Sequence, residues 1–173
     1  MESLCGCKIP DGHPLFVLYK ENDAISKKLA ALRDKLLFDE PDGFDGAMDD
    51  VRCTRSHYEK KSVLYAMTED TGLASEMQAE DARILEELSF LDGDNSLSDD
   101  AWDERLLAVL GAMRDMLSRE NNVLYPHLSQ TLTEEQWIQV YFAFRTIAPC
   151  HIGAYTIWVR AENPDAPRCV CEQ

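Results

Sequence analysis

Three stretches of this 173-residue chain place apolar side chains at alternating three- and four-residue steps, and each run is interrupted by one polar residue. The first is Leu15, Leu18, Asn22, Ile25, Leu29, Leu32, Leu36. The second is Met77, Asp81, Ile84, Leu88, Leu91, and the third Leu106, Leu110, Met113, Leu117, Glu120, Leu124. Such steps keep side chains on one side of a helix with 3.6 residues per turn, so the chain must bury helical faces against one another. Asn22, Asp81 and Glu120 are then expected to face a common interior. A buried carboxylate is costly without a cation or a hydrogen-bond partner. Two such acids, with His13 and His57 within reach, suggest a metal between the helices.

The remaining punctuation divides the chain into helices. Asp11 to His13 followed by Pro14 is a start signal, because proline is favoured in the first turn, and helix one is expected to run to about Phe38. Glu40 to Gly46 is a turn-rich break. A second helix is expected over about Asp49 to Thr68, and Gly72 marks the break after it. A third covers about Ala74 to Leu91. An acidic loop, Leu91 to Asp100, leads to a fourth from Asp99 to Tyr125 with Ser98 as its cap, and Pro126 is expected to end or kink it. Thr133 and Gln136 form a capping box for a fifth helix carrying Trp137, Val140, Tyr141 and Phe144. Ala154 to Arg160 reads as a short strand or extended arm, and the last dozen residues as a loose tail. The expected fold is all-α: an antiparallel up-down-up-down four-helix bundle with an additional C-terminal helix and an extended tail. It forms a single domain over residues 1–173, with its core at about 11–148 and cysteine-containing terminal segments 1–10 and 149–173.

Composition narrows the function classes. The hydrophobic content of 45% is that of a folded chain. A net charge of −15 disfavours nucleic acid and anionic membranes, whose phosphates bind clustered Lys and Arg. No run approaches the ~18 consecutive apolar residues of a membrane span. The N-terminus lacks the basic and apolar regions of a secretory signal, so a cytoplasmic location is expected.

Three segments resemble the characteristic sequences of hemerythrin-like HHE cation-binding domains: Gly12 to Asn22, His57 to Met67 and Arg119 to Leu128. They are most similar to a bacterial subgroup sometimes attached to PAS sensor domains. Leu132 to Trp137 and Cys150 resemble that subgroup's C-terminal part. The similarity covers most of residues 11–152. It implies a four-helix bundle around a non-haem iron site, mono- or dinuclear, serving oxygen or nitric oxide binding, iron handling, redox sensing or repair of iron centres. By that resemblance His13, His57 and Glu120 match or lie near metal ligands, and Asp81 stands where the third helix usually offers a histidine. Asn22, Tyr58 and Met116 are expected to contribute to binding the cofactor.

The sequence also departs from the family pattern. Met116 occupies the place of a histidine four residues before Glu120, and Ser62 that of the second helix's carboxylate. His13, His57, Asp81 and Glu120 leave one ligand per helix, enough for a single ion. Two imidazoles and two acids suit iron, and also zinc or manganese, with Glu21, Glu59 and His127 in reserve. Asn22 would orient a ligand or fix helix register.

Six cysteines include two close pairs, Cys5/Cys7 and Cys169/Cys171, which could grip a soft ion or pair on oxidation. No nucleophile–base pair, phosphate loop or dinucleotide fingerprint is present, so a non-enzymatic role is favoured. Three functional classes follow. The first is a metal-binding sensor or carrier of a diatomic ligand. The second is a metal-free bundle acting as a regulatory or partner-binding module, with a protein partner or a second copy. The third is a haem protein using His13 or His57, which lacks the Cys-x-x-Cys-His of covalent haem attachment.

Overall fold

The computed structural model describes residues 9–38, 40–93 and 98–166, and every regular element among the described residues is helical. In chain order these are α1 (Pro14–Leu37), α2 (Phe44–Arg52), α3 (Arg55–Met67), α4 (Thr71–Gly93) and α5 (Asp99–Arg119). A π-helical turn (Glu120–Leu124) follows, then α6 (Tyr125–Thr131), α7 (Glu134–Phe144) and the short α8 (Val159–Glu162). Helix α1 packs on α2, α5 and α7, α3 on α4 and α7, and α4 on α5. The three striped faces supply much of the core. All of their residues are buried except Leu36, which is half-buried. No helix among the described residues is long and apolar enough to cross a membrane.

Local chemistry accounts for the ends. His13 caps α1, its Nδ1 accepting the Leu15 amide at 3.1 Å, with Pro14 in the first turn. Gly12 precedes it at φ +79°, and a Cβ there would lie 2.5 Å from the backbone of Ile157 and Trp158. Only glycine meets both demands. The capping box of α7 is complete: Thr133 Oγ1 accepts the Gln136 amide at 3.2 Å, and Gln136 Oε1 accepts the Thr133 amide at 2.8 Å.

Four expectations about the elements are corrected. The single helix expected over residues 49–68 is two, broken at Cys53–Thr54, where the Thr54 hydroxyl donates to the Val51 carbonyl at 2.7 Å. Gly72 lies in the first turn of α4 rather than in a break. Pro126 does not end its helix; the preceding turn widens to π geometry and the chain continues as α6. Residues 154–160, expected as a short strand or extended arm, form no strand: 154–158 are irregular and lead into α8, which takes 159 and 160. Ser98 holds the cap position of α5 without a side-chain cap bond. The paired terminal cysteines, the centre of the acidic loop and the end of the tail lie outside the described residues.

A buried charge network as candidate functional site

Each interrupted stripe delivers its polar residue to one interior cluster. Asn22, Asp81 and Glu120 are 1%, 5% and 1% exposed, and Glu21, His57, Lys60 and Lys61 join them at 0–1%. Glu21 and Asn22 come from α1, the histidine and both lysines from α3, Asp81 from α4, and Glu120 from the π turn. On α3, His57 with Lys60 and Lys61 is an i, i+3, i+4 set, so one helix face carries all three.

The bonds run as a chain. Lys60 Nζ donates to Glu21 Oε1 at 2.8 Å and to the Ala148 carbonyl at 2.7 Å. Glu21 Oε2 is 2.9 Å from His57 Nδ1, and Glu120 Oε2 is 3.1 Å from His57 Nε2. Lys61 Nζ lies between two carboxylates, 2.6 Å from Glu120 Oε1 and 2.5 Å from Asp81 Oδ1. Tyr65 donates to Asp81 Oδ2 at 2.7 Å, while Tyr125 and Asn22 each donate to Glu120 Oε2 at 2.9 Å. The Tyr58 ring lies beneath Lys61, its centroid 5.0 Å from the ammonium. Among the described residues no fully buried side-chain nitrogen or oxygen lacks a partner.

Charge follows from this geometry. Both nitrogens of His57 face carboxylate oxygens, which only an imidazolium can satisfy as a double donor. Desolvation pulls the His57 pKa down, but Glu120 and Glu21 outweigh it and the net shift is upward from 6.5. Burial likewise opposes ionisation of Glu120, yet Lys61 and His57 hold its carboxyl well below the usual range. Glu21 is lowered against its own desolvation by His57 and Lys60. Asp81 goes the other way: its burial raises it, with Lys61 and Tyr65 only partly countering. Three carboxylates thus face two ammoniums and one imidazolium, and the interior is neutral with His57 charged.

The four expected ligands do not converge. His57 and Glu120 are in contact, and Asp81 reaches Glu120 through Lys61. His13 lies elsewhere, packed between Trp137 (tilted) and Trp158 (edge-on) with ring centroids 4.9 and 4.5 Å away. Its burial there pushes its pKa down to about 3, which suits a neutral imidazole accepting from the Leu15 amide. Asn22 donates into the cluster, the Tyr58 ring lies beneath Lys61, and Met116 is buried at 2%. Of the reserves, Glu21 is central, Glu59 is exposed and His127 is half-buried.

A divalent ion does not fit this donor set as arranged. The carboxylate oxygens that would bind it already hold Lys61, both His57 nitrogens are engaged, and the ion would confront ammonium groups at contact distance. No group of three or more His, Cys, Asp or Glu suited to a metal occurs among the described residues. The sequence reading missed Lys60, Lys61, Tyr65 and Tyr125. For Lys60 the available signal was its spacing, three residues after His57 and four before Leu64 on one helix face. Compared with protein-family models and with curated proteins, the sequence matches none.

Proposed function

We propose that this chain is a metal-independent four-helix bundle of up-down-up-down plan, hemerythrin-like in ancestry, that works as a regulatory or partner-binding module. The observation that carries this reading is the position of Lys61. Its ammonium stands between Asp81 and Glu120, where charge compensation by an ion would otherwise be needed. A fixed internal cation removes the dependence of the fold on iron, zinc or manganese and leaves oxygen or nitric oxide no open coordination position. With the polar centre closed by its own side chains, activity is exercised at the surface, on a protein partner or a second copy of the chain. The excess of acids argues for a partner that is neither nucleic acid nor anionic membrane.

The test is metal content and chelator response of protein expressed with added iron and purified anaerobically. The reading expects well under one tenth of an iron, zinc or manganese per chain, no absorption change with air or nitric oxide, and the same melting temperature with and without chelator. Stoichiometric metal whose removal lowers the melting temperature would return the protein to the metal-sensor class, with the lysines swung out of the centre.

A further inference from the structure

We propose that Cys53 and Cys150 are a redox pair, which a peroxide-class oxidant converts to a disulfide that fastens the segment around Cys150 to the α2–α3 junction. The inference rests on the placement of two thiols and not on the metal-free reading of the centre.

Cys53 closes α2 with its side chain exposed, and Cys150 follows Pro149 at 1% exposure; both are free thiols. Although 97 positions apart in sequence, they meet: Cys150 Sγ lies 3.7 Å from the Cys53 carbonyl oxygen. A second tie lies beside it, since His151 Nε2 donates to the Asp50 carbonyl at 2.7 Å. The two segments are therefore adjacent at two points. The buried Cys150 sulfur thus rests against the Cys53 main chain, and a disulfide requires the exposed Cys53 side chain to turn toward it about χ1. The buried end is also wired to the charge network, because the Cys150 amide donates to Glu21 Oε1 at 2.9 Å.

The roles of the two sulfurs differ. Cys53 Sγ, open to solvent, attacks one oxygen of the peroxide. The O–O bond breaks, and the departing hydroxide leaves as water with the thiol proton, so Cys53 becomes a sulfenic acid. Cys150 Sγ then attacks that sulfur, the S–O bond breaks, and a second water leaves with the Cys150 proton. Two thiols lose two electrons and the peroxide is reduced to two waters. Burial and the neighbouring Glu21 push the Cys150 thiol up to about 12, so the exposed Cys53 is the sulfur that meets the peroxide, and Cys150 gives up its proton only as it attacks the sulfenic sulfur.

The experiment treats the full-length chain with hydrogen peroxide, alkylates the remaining thiols and maps the cysteine peptides. The expected product joins the Cys53 and Cys150 peptides with loss of two hydrogens, is reversed by dithiothreitol, and melts about 5–10 °C higher than the reduced chain. Cys53→Ser, a change at an exposed position, should abolish the link and leave Cys150 alkylatable. In Cys150→Ser, dimedone should capture Cys53 as a persistent sulfenic acid. The proposal fails if Cys53 advances to sulfinic acid while Cys150 stays alkylatable, or if oxidation joins only cysteines near the chain ends.

Discussion

At the residue scale, Lys61 decides the character of the interior. A lysine at 0% side-chain exposure loses its hydration, and two carboxylates within 2.6 Å restore what was lost. Replacing it by methionine keeps the volume but strands Asp81 and Glu120 together. Lys61→Met should therefore destabilise the fold by roughly 3–5 kcal/mol in urea melts, as expected when one partner of a buried pair is removed. Adding Asp81→Asn should recover part of the loss, because the like-charge repulsion goes with it. A Lys61→Met chain as stable as the parent would show that its ammonium compensates nothing. The histidines make a second prediction with opposed signs. His57 is raised above 6.5, so its contribution is complete below that value and fades as pH rises through the higher folded pKa. His13 is lowered to about 3, so folding binds fewer protons there and its contribution, present above 6.5, is lost as pH falls toward 3. Glu21 and Glu120, both lowered, add to the loss below 4.5, while the raised Asp81 offsets part of it. Nitrogen NMR should find His57 protonated to a higher pH than a free imidazole and His13 neutral at pH 5; the reverse pattern would remove the charge assignment of the network. None of this pairing was legible from the stripes alone. They announced that polar groups face inward, but spacing along one helix cannot say which side chain of another helix meets them, and a lysine reads as solvated unless its neighbours are known.

At the element scale, α1, α4, α5 and α7 were legible because each carries a 3.6-residue apolar period, and α7 its capping box as well. The π turn was not, because a widened turn changes which neighbours share a face without changing composition. Glu120 and Tyr125 are five residues apart yet hydrogen-bonded at 2.9 Å. In an α-helix fifth neighbours diverge by about 140°. The extra residue of the π turn is what aims both inward, and Pro126, having no amide hydrogen, suits the turn that follows it. Removing exposed Val123 should collapse the π turn to α geometry. Leu124 and Tyr125 then become third and fourth neighbours of Glu120 and remain on its face. Deletion of Val123 should accordingly cost no more than about 1–2 kcal/mol, whereas deletion of exposed Ser118, one turn earlier, should exceed about 4 kcal/mol by turning Glu120 away from Lys61. Thermal and urea melts of the two deletions give the comparison; equal losses would mean that the wide turn does not set the register of the cluster.

At the scale of the whole molecule, two kinds of charge behave differently. The interior set is balanced and sits at 0–8% side-chain exposure, too dry for salt to screen. The excess of acids lies outside this set, and many of the ion pairs among the described residues are open to solvent, such as Lys27–Asp23 at 73% and 68% exposure. Such pairs contribute little, and the unbalanced acids repel one another in the compact state. Screening should thus stabilise the protein. Raising sodium chloride from about 0.02 to 0.5 M shortens the Debye length from about 20 to 4 Å, and the melting temperature should rise by a few degrees. The same argument separates general screening from a specific ion. Magnesium, manganese or zinc chloride at matched ionic strength should give shifts close to that of sodium chloride, because the cavity a divalent ion would need is held by Lys61. A shift that saturates at micromolar zinc or manganese would place a specific cation site on the folded chain and contradict the internal-cation reading, whereas a fall in melting temperature with sodium chloride would mean that exposed pairs, not surface repulsion, dominate the electrostatics.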